Sequence, residues 1–118
     1  MHSTTAFASL QGSRPENEDT HFHIKTNFNI SGKNVPIESW GVFDGHSGIS
    51  TATFLEKESF EIFKKHFESY VTDINNKQQV YKAFKTTQVE WQIKTPNQFN
   101  DSTVIFVLYI PSNNTVYN

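Results

Sequence analysis

Cysteine is missing altogether from the 118 residues. Its absence excludes disulfides, thiolate zinc sites and cysteine nucleophiles together. Arginine is almost missing: among the 10 Lys and Arg residues, only Arg14 is an arginine. Against 12 Asp and Glu the formal net charge is −2. No basic excess marks a nucleic-acid partner, and no polybasic stretch marks an anionic membrane surface. No apolar run approaches the roughly 18 residues that suggest a membrane span. Met1 to Leu10 has neither a charged n-region nor a sustained apolar core, so it does not read as a secretory signal. Asn-x-Ser/Thr sequons begin at Asn29, Asn100 and Asn113, as chance alone supplies in an asparagine-rich chain. The expectation is an intracellular protein, cytoplasmic or nuclear, without a nucleic-acid or membrane partner. Its oligomeric state is unknown from sequence.

Aromatic residues, by contrast, are plentiful. Eleven are Phe, and hydrophobic residues make up 36% of the chain. That is enough apolar material to fold, so disorder is not the reading. The length fits one domain or part of one. Thr5 to Gln11 alternates loosely before Gly12, as a short strand does, and Gly12 to Asp19 is a polar loop. Phe22, Ile24 and Phe28 share a period of two, which predicts a half-buried strand over Thr20–Phe28. Gly32, Asn34 and Pro36 mark Asn29–Pro36 as a hairpin connection. A short strand, Ser39–Phe43, then runs into Asp44 and the turn Gly45-His46-Ser47-Gly48.

From Ile49 the period lengthens. Ala52, Leu55, Phe60, Phe63, Phe67 and Tyr70 fall along one helical stripe, with Ser47 or Ser50 as its cap. A second helix is expected over Ile74–Lys94, capped by Asp73, with Val80, Phe84, Gln88 and Trp91 on one face and Pro96 beyond its end. Ser102–Ile110 reads as a strand, Pro111–Asn114 as a turn and Thr115–Tyr117 as the start of another strand. Strands, two helices and then a hairpin form an α+β pattern.

Two polar clusters could carry chemistry. One is Arg14-Pro15-Glu16-Asn17-Glu18-Asp19, with His21 and His23 close behind; the other is Asp44-Gly45-His46. Carboxylates at loop and strand ends can bind hard cations that prefer oxygen ligands. A glycine there lets the backbone turn a carbonyl toward a metal. An arginine can grip phosphate bidentately, which lysine does poorly. Each cluster also has a plainer reading: a Glu-rich loop is usually a solvated surface, and Asp-Gly after a strand is most often a turn. His21 and His23, two apart on a strand face, fit either a metal site or exposed polar positions. His66 reads as a surface residue, and the Phe stripe as core.

Order and spacing favour the chemical reading. Ser9-Leu10-Gln11-Gly12-Ser13-Arg14-Pro15-Glu16-Asn17-Glu18-Asp19 resembles the opening motif of the type 2C protein phosphatases. Trp40-Gly41-Val42-Phe43-Asp44-Gly45-His46-Ser47-Gly48 resembles the second motif of that family. Asp101-Ser102-Thr103-Val104 is similar to its Gly-Ser-Thr-Ala strand, with Asp101 and Val104 as departures.

The resemblance implies an α+β fold, an incomplete four-layer α-β-β-α sandwich with antiparallel strands and two helices. It implies that residues 1–118 are the N-terminal part of a single catalytic domain. The implied activity is hydrolysis of phosphoserine and phosphothreonine in a phosphorylated protein substrate by a metal-activated water, with two Mg²⁺ or Mn²⁺ ions. By the matching positions, Asp44 would bridge the ions, the Gly45 carbonyl would ligate one, and Glu18 would hold a metal-coordinated water supported by Asp19. Arg14 would bind the substrate phosphate, and His46 would protonate the leaving oxygen. The family's further metal-binding aspartates have no match here, since the only acids after Asp73 are Glu90 and Asp101. The 118 residues alone are therefore expected to be inactive or nearly so. The alternative is a truncated, catalytically silent relative that binds metal or phosphopeptide.

Overall fold

The computed structural model describes residues 20–44, 49–95 and 103–118. Its elements are β1 (Thr20–Ile30), β2 (Lys33–Asp44), α1 (Ile49–Tyr70), α2 (Lys77–Lys94), β3 (Thr103–Ile110) and β4 (Thr115–Tyr117). The strands form one antiparallel sheet in the order β1-β2-β3-β4, and α1 packs on it beside α2. The expected α+β pattern with two helices is what the chain adopts. The helices show no span long and apolar enough to cross a membrane, among the described residues.

The first hairpin is tighter than its sequence suggested. In place of an eight-residue connection, Ser31 and Gly32 alone make the turn, with φ of 52° and 82°. Two successive positive φ values define the type I′ turn, whose twist matches that of the flanking strands. Asn29 Oδ1 accepts a hydrogen bond from Gly32 N at 3.0 Å, and Asn29 N donates to Glu68 Oε2 on α1 at 2.6 Å. Pro36 lies inside β2, opposite Asn27. Counting from the turn, that pair is a non-hydrogen-bonded one. β3 flanks β2 only from Glu38 onward, so the missing N–H of Pro36 costs no ladder bond.

Alternation divides the sheet into two faces. Phe22, Phe28, Ile37, Phe43, Phe106 and Leu108 are buried on the helix side. The opposite side carries His23 stacked on Trp40, ring centroids 5.0 Å apart, with exposed Ile105 and Val116. Gly41 faces the helices across from Phe22. A Cβ there would overlap the Phe22 ring, so only glycine lets that ring lie across the strand.

Helix α1 buries Leu55, Phe60, Phe63 and Phe67, as its stripe predicts, while Tyr70 is half-buried. Ser50 lies within this helix rather than capping it, and Ser47 is outside the described residues. Phe63, fully buried, is the hub of the core: its ring centroid is 4.8 Å from Phe106 and 4.9 Å from Phe84. Burying one such side chain stabilises the fold by about 1.5–3 kcal/mol.

Helix α2 starts at Lys77, three residues later than expected, because Asn76 is its cap: Asn76 Oδ1 accepts from Gln79 N at 3.1 Å. Asp73 instead closes a preceding turn, accepting from Asn75 N at 2.9 Å. On this helix Gln88 is exposed and its neighbour Thr87 is buried. The Thr87 hydroxyl donates to the Ala83 carbonyl at 2.7 Å, which satisfies it without a partner outside the helix.

Candidate active site

Three strand ends meet at one end of the sheet. The last stretch of β2 before Asp44, Trp40-Gly41-Val42-Phe43, is apolar, and Phe43 is fully buried against Phe22 and Trp91. Asp44 follows as the last residue of the strand. The antiparallel register pairs Thr20, the first residue of β1, with Phe43, and pairs Asp44 with Thr103, the first residue of β3. The start of β1, the end of β2 and the start of β3 therefore lie side by side.

Of the predicted site residues, Asp44 is placed by its backbone at this strand end. Arg14, Glu18, Asp19, Gly45 and His46 are outside the described residues, as are Asp101 and Ser102. The predicted donors are carboxylate and carbonyl oxygens, a set that suits Mg²⁺ or Mn²⁺ and not a softer metal. Among the described residues no group of three or more His, Cys, Asp or Glu could hold a metal ion.

The histidines and the late glutamate take other positions. His23 stacks on Trp40 and pairs with Glu38, which gives it a structural role on the sheet. His66, expected at the surface, is largely covered between the helices, with its Nε2 2.7 Å from Glu90 Oε1. Glu90 also receives Lys65 at 3.0 Å and Lys94 at 3.4 Å. Hydrogen bonding from Lys65 is the main cause that lowers its carboxyl to about 2, against opposing desolvation and with help from His66 and Lys94. One of the two acids after Asp73 is thus committed to joining α1 and α2. This network escaped the sequence reading because its members are 24 or more residues apart across two helices. Only the i, i+4 pair Glu90–Lys94 leaves a sequence signal.

A groove of about 550 Å³ lies elsewhere, between α2 and β3, walled by Phe84, Trp91, Val104 and Phe106 among others. None of the predicted site residues lines it.

Comparison with known proteins gives the family. A family model described as "Protein phosphatase 2C" matches residues 3–117. "Probable protein phosphatase 2C 11" of Arabidopsis thaliana is 32% identical over 92 residues, covering 78% of this chain and 23% of its own length. "Probable protein phosphatase 2C 55" of Oryza sativa subsp. japonica is 40% identical over 60 residues, covering 51% of this chain and 15% of its own. "Protein spalten" of Dictyostelium discoideum is 40% identical over 57 residues, covering 44% of this chain and 6% of its own. The chain thus spans less than a quarter of the length of these relatives in each match. No solved structure matches it significantly.

Proposed function

This chain belongs to the protein phosphatase 2C family, and we propose that it supplies the N-terminal part of the active site of a metal-dependent phosphoprotein phosphatase. One observation carries the reading: the start of β1, the end of β2 and the start of β3 adjoin, and each of these strand ends is continuous in sequence with one of the three motifs. Asp44 and the carbonyl of Gly45 would hold divalent cations, Mg²⁺ or Mn²⁺, with Glu18 acting through a water that Asp19 orients. When bound, such cations polarise phosphoryl oxygens and lower the pKa of a water.

The chain's own groups do the rest. Arg14 grips two phosphate oxygens with its planar fork, which fixes the phosphorus for in-line attack. His46 gives a proton to the departing serine or threonine oxygen, which would otherwise leave as an alkoxide. The buried ring of Phe43 anchors the strand end whose last residue is Asp44, a rigid element for a site residue. Glu90 is held between the helices by Lys65, His66 and Lys94 and is not among the groups assigned to the site.

Paramagnetic Mn²⁺ titrated into the isotope-labelled chain tests the assignment without requiring turnover. The backbone resonances of Thr20, Phe43, Asp44 and Thr103 should broaden first, and Asp44→Ala should remove that selectivity. Broadening centred on His21 and His23 or on Glu90 would place the cation elsewhere and refute the site.

A further inference from the structure

Four aromatic rings close a cycle beneath the three adjoining strand ends. Between ring centroids, Phe22 on β1 lies 5.9 Å from Phe43 on β2 and 5.5 Å from Phe106 on β3. Trp91 on α2 completes the cycle, 6.5 Å from Phe43 and 5.4 Å from Phe106. All four side chains are buried. Gly41 stands between Phe22 and Phe106 in the sheet, paired with one on each side. Its missing Cβ is what leaves room for the Phe22 ring. One helix residue thus braces three strands at the end where Asp44 lies.

Trp91 is itself held from outside the sheet. The Thr95 N–H and hydroxyl both donate to its carbonyl, at 3.1 and 2.8 Å. Glu90, the residue before it, is tied to Lys65 and His66 on α1. From this fixed position the indole meets the Phe43 ring edge to face, with the planes at 90°, an orientation that aromatic quadrupoles favour. Phe43 is fully buried and directly precedes Asp44. Consecutive Cα atoms are only about 3.8 Å apart, so a shift of Phe43 is passed to the Asp44 backbone. The buried indole N–H has no acceptor among the described residues. Trp91 therefore acts through the shape of its ring and not through a hydrogen bond.

We propose that Trp91 is a positioning residue of the strand-end site: pressed on Phe43 from α2, it fixes the backbone at Asp44. Its consequence for cations rests on the reading of that strand end as a phosphatase metal site. An ordinary core residue stabilises the molecule as a whole, so its loss speeds opening everywhere. A brace protects one region, and its loss shows first in local opening there. The two roles therefore differ in a measurable way.

Trp91→Leu, Trp91→Phe and Phe28→Leu in the isotope-labelled chain separate them. Phe28 is fully buried too, but at the far end of the sheet, opposite Val35. Hydrogen exchange at the Phe43 and Asp44 amides is measured relative to that at the Val35 amide, because global destabilisation speeds both ends alike. Trp91→Leu should raise this ratio about tenfold, and Trp91→Phe, which keeps a ring, should hold it within about twofold of wild type. Phe28→Leu should not raise it. Phe43→Leu removes the same contact from the strand side and takes the place of Trp91→Leu if that variant does not fold. Mn²⁺ is then titrated into each. The midpoint for broadening of Asp44 should rise about tenfold in Trp91→Leu, the low end of what the outer supports of a metal ligand are worth. It should stay in place in Trp91→Phe and Phe28→Leu. An unchanged exchange ratio in Trp91→Leu, an equal rise in Phe28→Leu, or an unchanged Mn²⁺ midpoint would overturn the proposal. A raised ratio where wild type itself shows no Mn²⁺ selectivity at Asp44 would uphold the brace and refute the cation site.

Discussion

His66 on α1 meets Glu90 on α2 with Nε2 2.7 Å from Oε1, and Lys65 and Lys94 close on the same carboxylate. The folded carboxyl titrates at about 2, below its ordinary 4.5. A group whose pKa is depressed on folding contributes stability that is complete above its unfolded value and lost as pH falls through its folded one. The contribution should therefore be intact at neutral pH and fade between pH 4.5 and 2. Solvent screening at the helix surface limits it to about 1 kcal/mol. Urea melts of wild type and Glu90→Gln at pH 7 and pH 3 check this: the gap between them should narrow in acid. A gap unchanged by pH would mean that the network does not hold the helices.

Gly41 should tolerate no side chain while Phe22 lies across it. Gly41→Ala forces the ring off its position and should cost about 1–3 kcal/mol, the usual range for an overfilled core. Shortening the ring to a flexible side chain should recover part of that loss. Thermal melts of Gly41→Ala, Phe22→Leu and the double variant would show it, because the combined loss should be smaller than the sum of the single losses.

Asn76, and not Asp73, caps α2. Asn76→Ala should cost about 1 kcal/mol, the typical value of a lost N-cap. Asp73→Ala removes only a turn bond to Asn75 N and should cost less. Chemical denaturation of the two variants ranks them, and the reverse order would return the cap to Asp73.

The 118 residues alone should hydrolyse an aryl phosphate or phosphopeptide very slowly, even in millimolar Mn²⁺. One of their two acids after Asp73, Glu90, is occupied between the helices, so the strand-end site has few carboxylates to draw on. Poor cation retention removes charge stabilisation worth several kcal/mol of barrier. Turnover typical of an ordinary enzyme, abolished by Asp44→Ala, would show that the residues present already complete the site.

Much of this molecule was legible in one dimension, for local physical reasons. The period of Phe22, Ile24 and Phe28 announced a strand, and the stripe from Leu55 to Phe67 announced a helix, because each pattern repeats with its own element's geometry. The order of the motifs around Arg14, Asp44 and Thr103 named the family before any coordinate did. Boundaries were less legible, since they turn on single side-chain choices: Asn76 took the cap that Asp73 could also have made, and Ser31 accepted a positive φ that let two residues do the work of eight.

What only the tertiary structure decided was adjacency. Pairing of Thr20 with Phe43 and of Asp44 with Thr103 set the start of β1, the end of β2 and the start of β3 side by side, because antiparallel strands put the start of one beside the end of the next. The Glu90 network arises in the same way. It depends on which surfaces two helices turn toward each other, and no local pattern along the chain encodes that.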